Sequence, residues 1–287
     1  MVLPALIIGL AISAAGCQNK PTAAPPAAPT LVEADLPTGT KIQGMLAKQL
    51  ESGVDDEGSV VPMIVAADVK DSAGHVLIPK GTPMQGHVTW SRREGTLGSL
   101  VNRPARLKFA FDTTVAADGQ PVDICADPNK VDEPFELNRG NTGIAGAAVE
   151  LDSVPLDSRD ETTLTAMTQL FENGDARDLE SAEGRARLQA LAEKLRLPGL
   201  QNLAQQNDVG KVRGLLDQLR KGNSLARLAP AAMDGPMTMA AVMEMSQLAQ
   251  KVNDRLNKAS HGRNIKAYIG TPVVAYVKAP LKVKVQS

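Results

Sequence analysis

Apolar and polar residues along this chain repeat with two different periods, and the change of period divides it into regions. Arg106 to Val115 alternates with a period of two, with Leu107, Phe109, Phe111, Thr113 and Val115 on one side, and Thr82 to Trp90 alternates in the same way. Asp118-Gly119 is a hairpin signal because this pair accepts the positive φ of a tight turn, and Val122 and Ile124 continue on the return strand. Val60 to Val69 is an apolar run suited to a strand buried on both faces. Asp71 to Gly74 predicts a turn from which His75 to Ile78 pairs back, and at the far end Leu281, Val283 and Val285 alternate with Lys282, Lys284 and Gln286. Short strands at this spacing predict a small, mostly antiparallel β-barrel or a sandwich.

From about residue 158 the period changes to that of a helix. Thr162 to Glu172 places Leu164, Met167, Leu170 and Phe171 on one face, and Leu188, Leu191, Ala192 and Leu195 form a second face that Pro198-Gly199 is expected to stop. Asp208 is a candidate cap for a helix with Val209, Val212, Leu215, Leu216 and Leu219, ended by Gly222, and Met237 to Asn257 predicts a longer amphipathic helix. Each apolar stripe needs a partner, so residues 158–264 predict a helical bundle. The fold class expected is α+β: a barrel over 36–127 and 265–287, closed by the C-terminal strands, with an irregular connection at 128–157 and the bundle inserted before the last strands.

A turn recurs in the β regions. Leu36 to Gly44 reads L-P-T-G-T-K-I-Q-G and Ile78 to Gly86 reads I-P-K-G-T-P-M-Q-G, with a partial copy, G-T-P-V-V-A-Y-V, at Gly270 to Val277. Pro fixes φ, and Gly two positions later tolerates a left-handed backbone, so Gly39 and Gly81 are expected at positive φ, each launching a strand.

The N-terminus has a different character. Val2 to Gly16 is uncharged and apolar over the length of a signal-peptide core, and it ends Ala14-Ala15-Gly16-Cys17. Small residues before a Cys resemble a bacterial lipobox. That resemblance implies removal of residues 1–16 and attachment of diacylglycerol, with palmitate-type acyl chains, to the Cys17 thiol. Gln18 after the Cys resembles an outer-membrane destination. An ordinary signal peptide or a short anchor with an incidental Cys is the alternative. Residues 17–35 then carry four prolines between Pro21 and Pro29 among Ala and Thr, a composition that favours extended polyproline II. At roughly 3.1 Å per residue, about 15 residues reach roughly 45 Å.

Composition narrows the function classes. Over 287 residues the formal charge is −1 and aromatic residues are 2%, against a nucleic-acid binder, which needs a basic face and stacking rings. Of the two cysteines, Cys125 is left without an internal disulfide partner once Cys17 carries lipid, and it reads as a small buried hydrophobe. His75, His87 and His261 stand at no metal-ligand spacing, and no nucleophile-elbow or phosphate-loop motif occurs. The protein is therefore expected to be no enzyme and to use no cofactor or metal. The methionines Met233, Met237, Met239, Met243 and Met245 offer copper-binding thioethers or, as the plainer reading, core filler. Asp55, Asp56 and Glu57, with Asp68 and Asp71, read either as a calcium site or as a solvated turn. Arg92, Arg93, Arg103 and Arg106 border a glycine-containing loop, which reads as a grip for an anionic partner, a peptide carboxylate or a glycan, or as a solvated hairpin.

The order of parts resembles the periplasmic barrel of TrbI-like proteins, scaffold subunits of conjugative and type IV secretion channels. The resemblance rests on Leu36 to Leu46, Val60 to Val88, Arg106 to Ile124 and Ile269 to Val283, and on a helical excursion before the last strands. The chain departs from that family in its lipid-type anchor and in the polar, amphipathic character of its helices. The TrbI-like resemblance implies a periplasmic scaffold or assembly part of an envelope or secretion complex, with other envelope proteins or further copies of itself as partners, and the lipobox resemblance implies that it is a lipoprotein held to the outer membrane by lipid. A stand-alone periplasmic module that binds a peptide or glycan is the alternative.

Overall fold

The strands predicted at the two ends of the chain close on one another. The computed structural model describes residues 31–93, 105–137, 154–221, 236–259 and 265–286. Its strands before the helices are β1 (Leu31–Leu36), β2 (Lys41–Leu46), β3 (Leu50–Glu51), β4 (Val60–Val65), β5 (Val69–Lys70), β6 (Val76–Ile78), β7 (Pro83–Arg92), β8 (Arg106–Val115), β9 (Pro121–Cys125) and β10 (Phe135–Leu137). After the helices come β11 (Lys266–Ala267), β12 (Pro272–Val277) and β13 (Leu281–Gln286). Strands β8, β7, β4, β2, β12 and β9 pair antiparallel in that order, and β9 pairs back to β8, which closes a six-stranded barrel. The C-terminal strand β12 is the closing member: Ala275 faces Ile42 on β2, and Val277 faces Ile124 on β9. The predicted α+β architecture, a barrel closed by C-terminal strands around a helical insertion, is the one observed.

Three regions differ from the boundaries expected. Leu31 to Asp35, at the end of the stretch read as linker, is already strand, because β1 pairs along its length with β13. Within 128–157, β10 joins β8 beside Phe109. The apolar run 60–69 is two strands, with Ile64 facing the helices and Met63 and Val65 facing the barrel interior.

The recurring turn has the same hydrogen bonds at each of its three copies. Gly39, Gly81 and Gly270 have φ of 78°, 83° and 86°. Their N–H groups donate to the carbonyls of Val277, Val65 and Leu46, at 2.8, 2.8 and 2.7 Å. The same three residues donate their own N–H to the carbonyls of Thr40, Thr82 and Thr271, at 3.0, 2.9 and 2.9 Å. Each turn thus clamps the last residue of the strand that runs antiparallel to the one it launches. The glycines are required because a left-handed backbone disfavours a Cβ.

Two bulges reset the alternation. Thr89 is an extra residue on β7 and Asp112 an extra residue on β8. Beyond Asp112 the inward position passes to the buried Thr114, so Thr113 and Val115 turn away from the side that Leu107, Phe109 and Phe111 share.

The helical block comprises α1 (Ser158–Asn173), α2 (Arg177–Glu180), α3 (Ala182–Lys194), α4 (Pro198–Gln206), α5 (Val209–Arg220) and α6 (Pro236–Ala259). Helix α1 starts with a capping box of Asp157 and Asp160 and ends at Gly174 in the left-handed region. Pro198 does not end a helix; it opens α4 at a first-turn position that needs no N–H, after Arg196 at φ 55° breaks the chain from α3. Helix α4 has no cap of its own, and the Glu244 carboxylate of α6 accepts the N–H groups of Gly199 and Leu200 at 3.1 and 2.8 Å. Burial pushes the Glu244 carboxyl above its ordinary value, against the pull of the Leu200 and Gly199 N–H groups.

Two apolar cores result. One fills the barrel and includes Ile42, Met63, Met84, Phe109, Val273 and Val283. The other fills the helical block and takes Met45, Ala47, Ile64, Tyr268 and Ile269 from the outside of the barrel. Gly270 lies at this junction, where a Cβ would fall 2.6 Å from Val242 of α6.

Candidate functional site

The long β7–β8 hairpin carries the described arginines. Arg92 and Arg106 are direct cross-strand partners at the end that joins the connecting loop, so two cations share one spot on the outer face. Arg93 is separated from them. Its guanidinium donates to the Gly53 carbonyl at 3.0 Å, while Gly53 donates its N–H to Ser91 Oγ at 2.8 Å. Arg93 therefore fixes the 52–55 turn. Arg103 lies outside the described residues, as do Cys17, His261 and Met233.

The residues beside the arginine pair were not singled out by the sequence. Trp90 faces Lys108 in the register, and Lys108 faces Glu136 on β10. Trp90 is 47% exposed, and Lys108 Nζ lies 3.0 Å from Glu136 Oε2. Next to this row a cleft of about 300 Å³ opens, with Lys108, Lys130, Asp127, Glu133 and Glu136 at its rim and Ala126, Pro134 and Phe135 as its apolar part. Lys130 pairs with Glu133 at 2.8 Å. The Phe135 ring leans on Phe109 and Phe111 at 5.2 and 6.0 Å between centroids, which fixes that wall of the cleft to the barrel core. The outward parity of Trp90 depends on the Thr89 bulge, which the alternation of the sequence does not show.

The other candidates have structural roles. Asp55 is bound by Lys48 at 2.6 Å and by the Glu51 N–H at 2.7 Å, and Asp68 accepts the Lys80 N–H at 2.8 Å. Asp71 accepts the N–H groups of Ala73 and His75 and pairs with His75 Nδ1 at 2.8 Å. The His75 side chain leads in holding the Asp71 carboxyl below its ordinary value, outweighing burial with the help of these backbone bonds. His87 pairs with Asp112 at 2.9 Å on the surface. Cys125 is buried with Sγ 3.5 Å from the Tyr276 carbonyl, and burial pushes its thiol up. Met239 and Met245 are buried and Met243 packs against the helical core, which is the filler role. Among the described residues no group of three His, Cys, Asp or Glu side chains is placed to hold a metal ion, and no described helix is long and apolar enough to cross a membrane. A second cleft, of about 460 Å³ between α1 and α3, is bordered by charges already in use: Asp160 binds Lys194, and Arg187 binds Asp178 and Glu183.

No protein-family model matches the chain, and no curated protein matches it in sequence. Among solved structures it is similar in part to ComB10 of the Com type IV secretion system of Helicobacter pylori. The identity is 20% and the TM-score 0.23, over 31% of this chain and 42% of that one, so the match spans less than half of ComB10, and a likeness of this size assigns no activity.

Proposed function

We propose that the protein is a non-enzymatic lipoprotein of the bacterial cell envelope. Cys17 carries the lipid, the anchor is in the outer membrane, and the barrel serves as a TrbI-like scaffold or assembly part of an envelope or secretion complex. The observation that carries this reading is the closed barrel whose last strands follow a helical block, the order of parts that the sequence resemblance implies. The pair of cores supports it, because a rigid barrel with a bundle packed on its outside presents two surfaces in fixed relation to each other. Affinity purification from crosslinked cell envelope tests the reading. Co-purified envelope or channel proteins, together with loss of membrane association in Cys17→Ser, are the expected result. Recovery of the protein alone, or unchanged membrane association of Cys17→Ser, contradicts it.

A second reading, a periplasmic module that binds a peptide or glycan, is favoured by one observation: the exposed indole of Trp90 beside the paired Lys108 and Glu136.

A further inference from the structure

The single tryptophan of the chain stands on the outside of the barrel, 47% exposed, in a protein with 2% aromatic residues. Its neighbours in the register are polar and paired: Lys108 across β8, then Glu136 across β10, joined at 3.0 Å. Two strand spacings, about 10 Å, separate the β7 and β10 ends of this row, the reach of a disaccharide. The 300 Å³ cleft continues the row past Glu136.

We propose that this face is a binding site for a neutral carbohydrate chain of N-acetylated hexosamines. The proposal rests on the second reading above and is independent of the scaffold role. An indole offers a flat apolar platform to the C–H face of a sugar ring, in a site with few placed polar groups. Lys108 supplies donors and Glu136 acceptors at fixed spacing, which suits neighbouring hydroxyls or an amide that each need both. The apolar part of the cleft, Ala126, Pro134 and Phe135, takes an acetamido methyl. Charge selects a neutral chain over a polyanion. At the cleft Asp127, Glu133 and Glu136 outnumber Lys108 and Lys130. An anionic lipid surface or an acidic peptide lying along the row would meet those three carboxylates.

Trp90 is its own probe. Titration of the full-length protein with chitotetraose, a β-1,4-linked N-acetylglucosamine tetramer, is expected to give a saturable blue shift of tryptophan emission. Glu136→Ala, a change on a partly exposed strand, is expected to weaken binding about tenfold, in keeping with loss of one charge-assisted contact. Trp90→Phe followed by calorimetry is expected to bind more weakly than the parent and more strongly than Trp90→Ala. Vesicles of phosphatidylethanolamine and phosphatidylglycerol are expected to leave the emission unchanged. No shift with chitotetraose, a shift indifferent to Glu136→Ala, or a shift produced by the vesicles overturns the proposal. None of these results bears on which proteins crosslink to the chain in the envelope, so the two readings fail separately.

Discussion

The barrel and the helical block differ in where each finds its partners along the chain. In the barrel, Ile42 faces Ala275, and Gln120 on the β8–β9 turn donates to the Lys282 carbonyl 162 positions away. In the helical block, Asp160 binds Lys194 at 34 positions and Glu180 binds Arg213 at 33. The block is one continuous segment, and the barrel is two segments that the block separates. A closed sheet built this way depends on its last strands, because each missing strand leaves two rows of unpaired N–H and C=O groups and an open apolar seam. A bundle of local contacts tolerates damage at its ends, and contacts between distant residues form more slowly.

Truncation after Gly262 should break this comparison most sharply, by removing β12 and β13 and abolishing soluble expression of the barrel. Replacing residues 154–259 with a short Gly/Ser linker should leave a cooperatively unfolding barrel, since loop length changes closure entropy by only about 0.6 kcal/mol per doubling. That variant should also bind an apolar dye, because Met45, Ile64 and Tyr268 lose the helices that cover them.

The three turns separate the two regions at the next level. Gly39→Val meets only backbone strain, with Pro128 Cβ 3.8 Å from the new Cβ, and should cost roughly 1–3 kcal/mol in denaturant unfolding. Gly270→Val adds a clash with Val242 at the junction and should cost roughly 3–5 kcal/mol. Equal losses at the two positions would mean that the junction is looser than described.

Glu244 and Asp118 should give smaller, pH-dependent effects of opposite sign. Glu244→Ala removes the borrowed cap of α4 and should cost about 1–2 kcal/mol near pH 4 and less at pH 7. The raised Glu244 carboxyl binds its proton more readily in the fold than in the unfolded chain. Its contribution is therefore fully present below the ordinary Glu value near ~4.3 and is lost as pH rises through the folded value. Glu244→Gln should flatten that slope in chemical unfolding measured from pH 4 to 7. Asp118 accepts the Lys284 N–H at 2.9 Å and, with Gln120, covers the outer edge of β13. Burial pushes its carboxyl up, but the Lys284 N–H and the side chain and N–H of Gln120 outweigh this and hold it below the ordinary range. Stability from Asp118 is then present above about pH 3.9 and is lost as pH falls through the lower folded value. Asp118→Ala should cost about 1 kcal/mol at neutral pH and almost nothing in acid.

Features written in neighbouring residues were legible in the sequence. Asp118-Gly119 turns where expected because the pair itself carries the conformation, with Gly119 at φ 87°. The recurring Pro-x-Gly-Thr turns are legible for the same reason. What was not legible depends on a distant partner. Pro198-Gly199 reads as a stop, and it is a start only because Glu244, 45 positions away, supplies the cap. Arg93 reads like Arg92, but its acceptor is Gly53, 40 positions back. Leu31 to Asp35 reads as linker because its pairing partner, β13, lies at the other end of the chain. The bulge at Thr89 turns Trp90 outward, and a bulge is fixed by the facing strand more than by its own residue.

Amide hydrogen exchange at Val277, Val65 and Leu46 tests barrel closure most directly. Each of these N–H groups donates into one of the three equivalent turns, to Thr40, Thr82 and Thr271 respectively. If the sheet is closed, all three should exchange only by global unfolding, with one shared free energy and one shared dependence on denaturant. Fast exchange at Val277 and Leu46 while Val65 stays protected would mean that β12 opens independently, and that the C-terminal strands do not close the barrel.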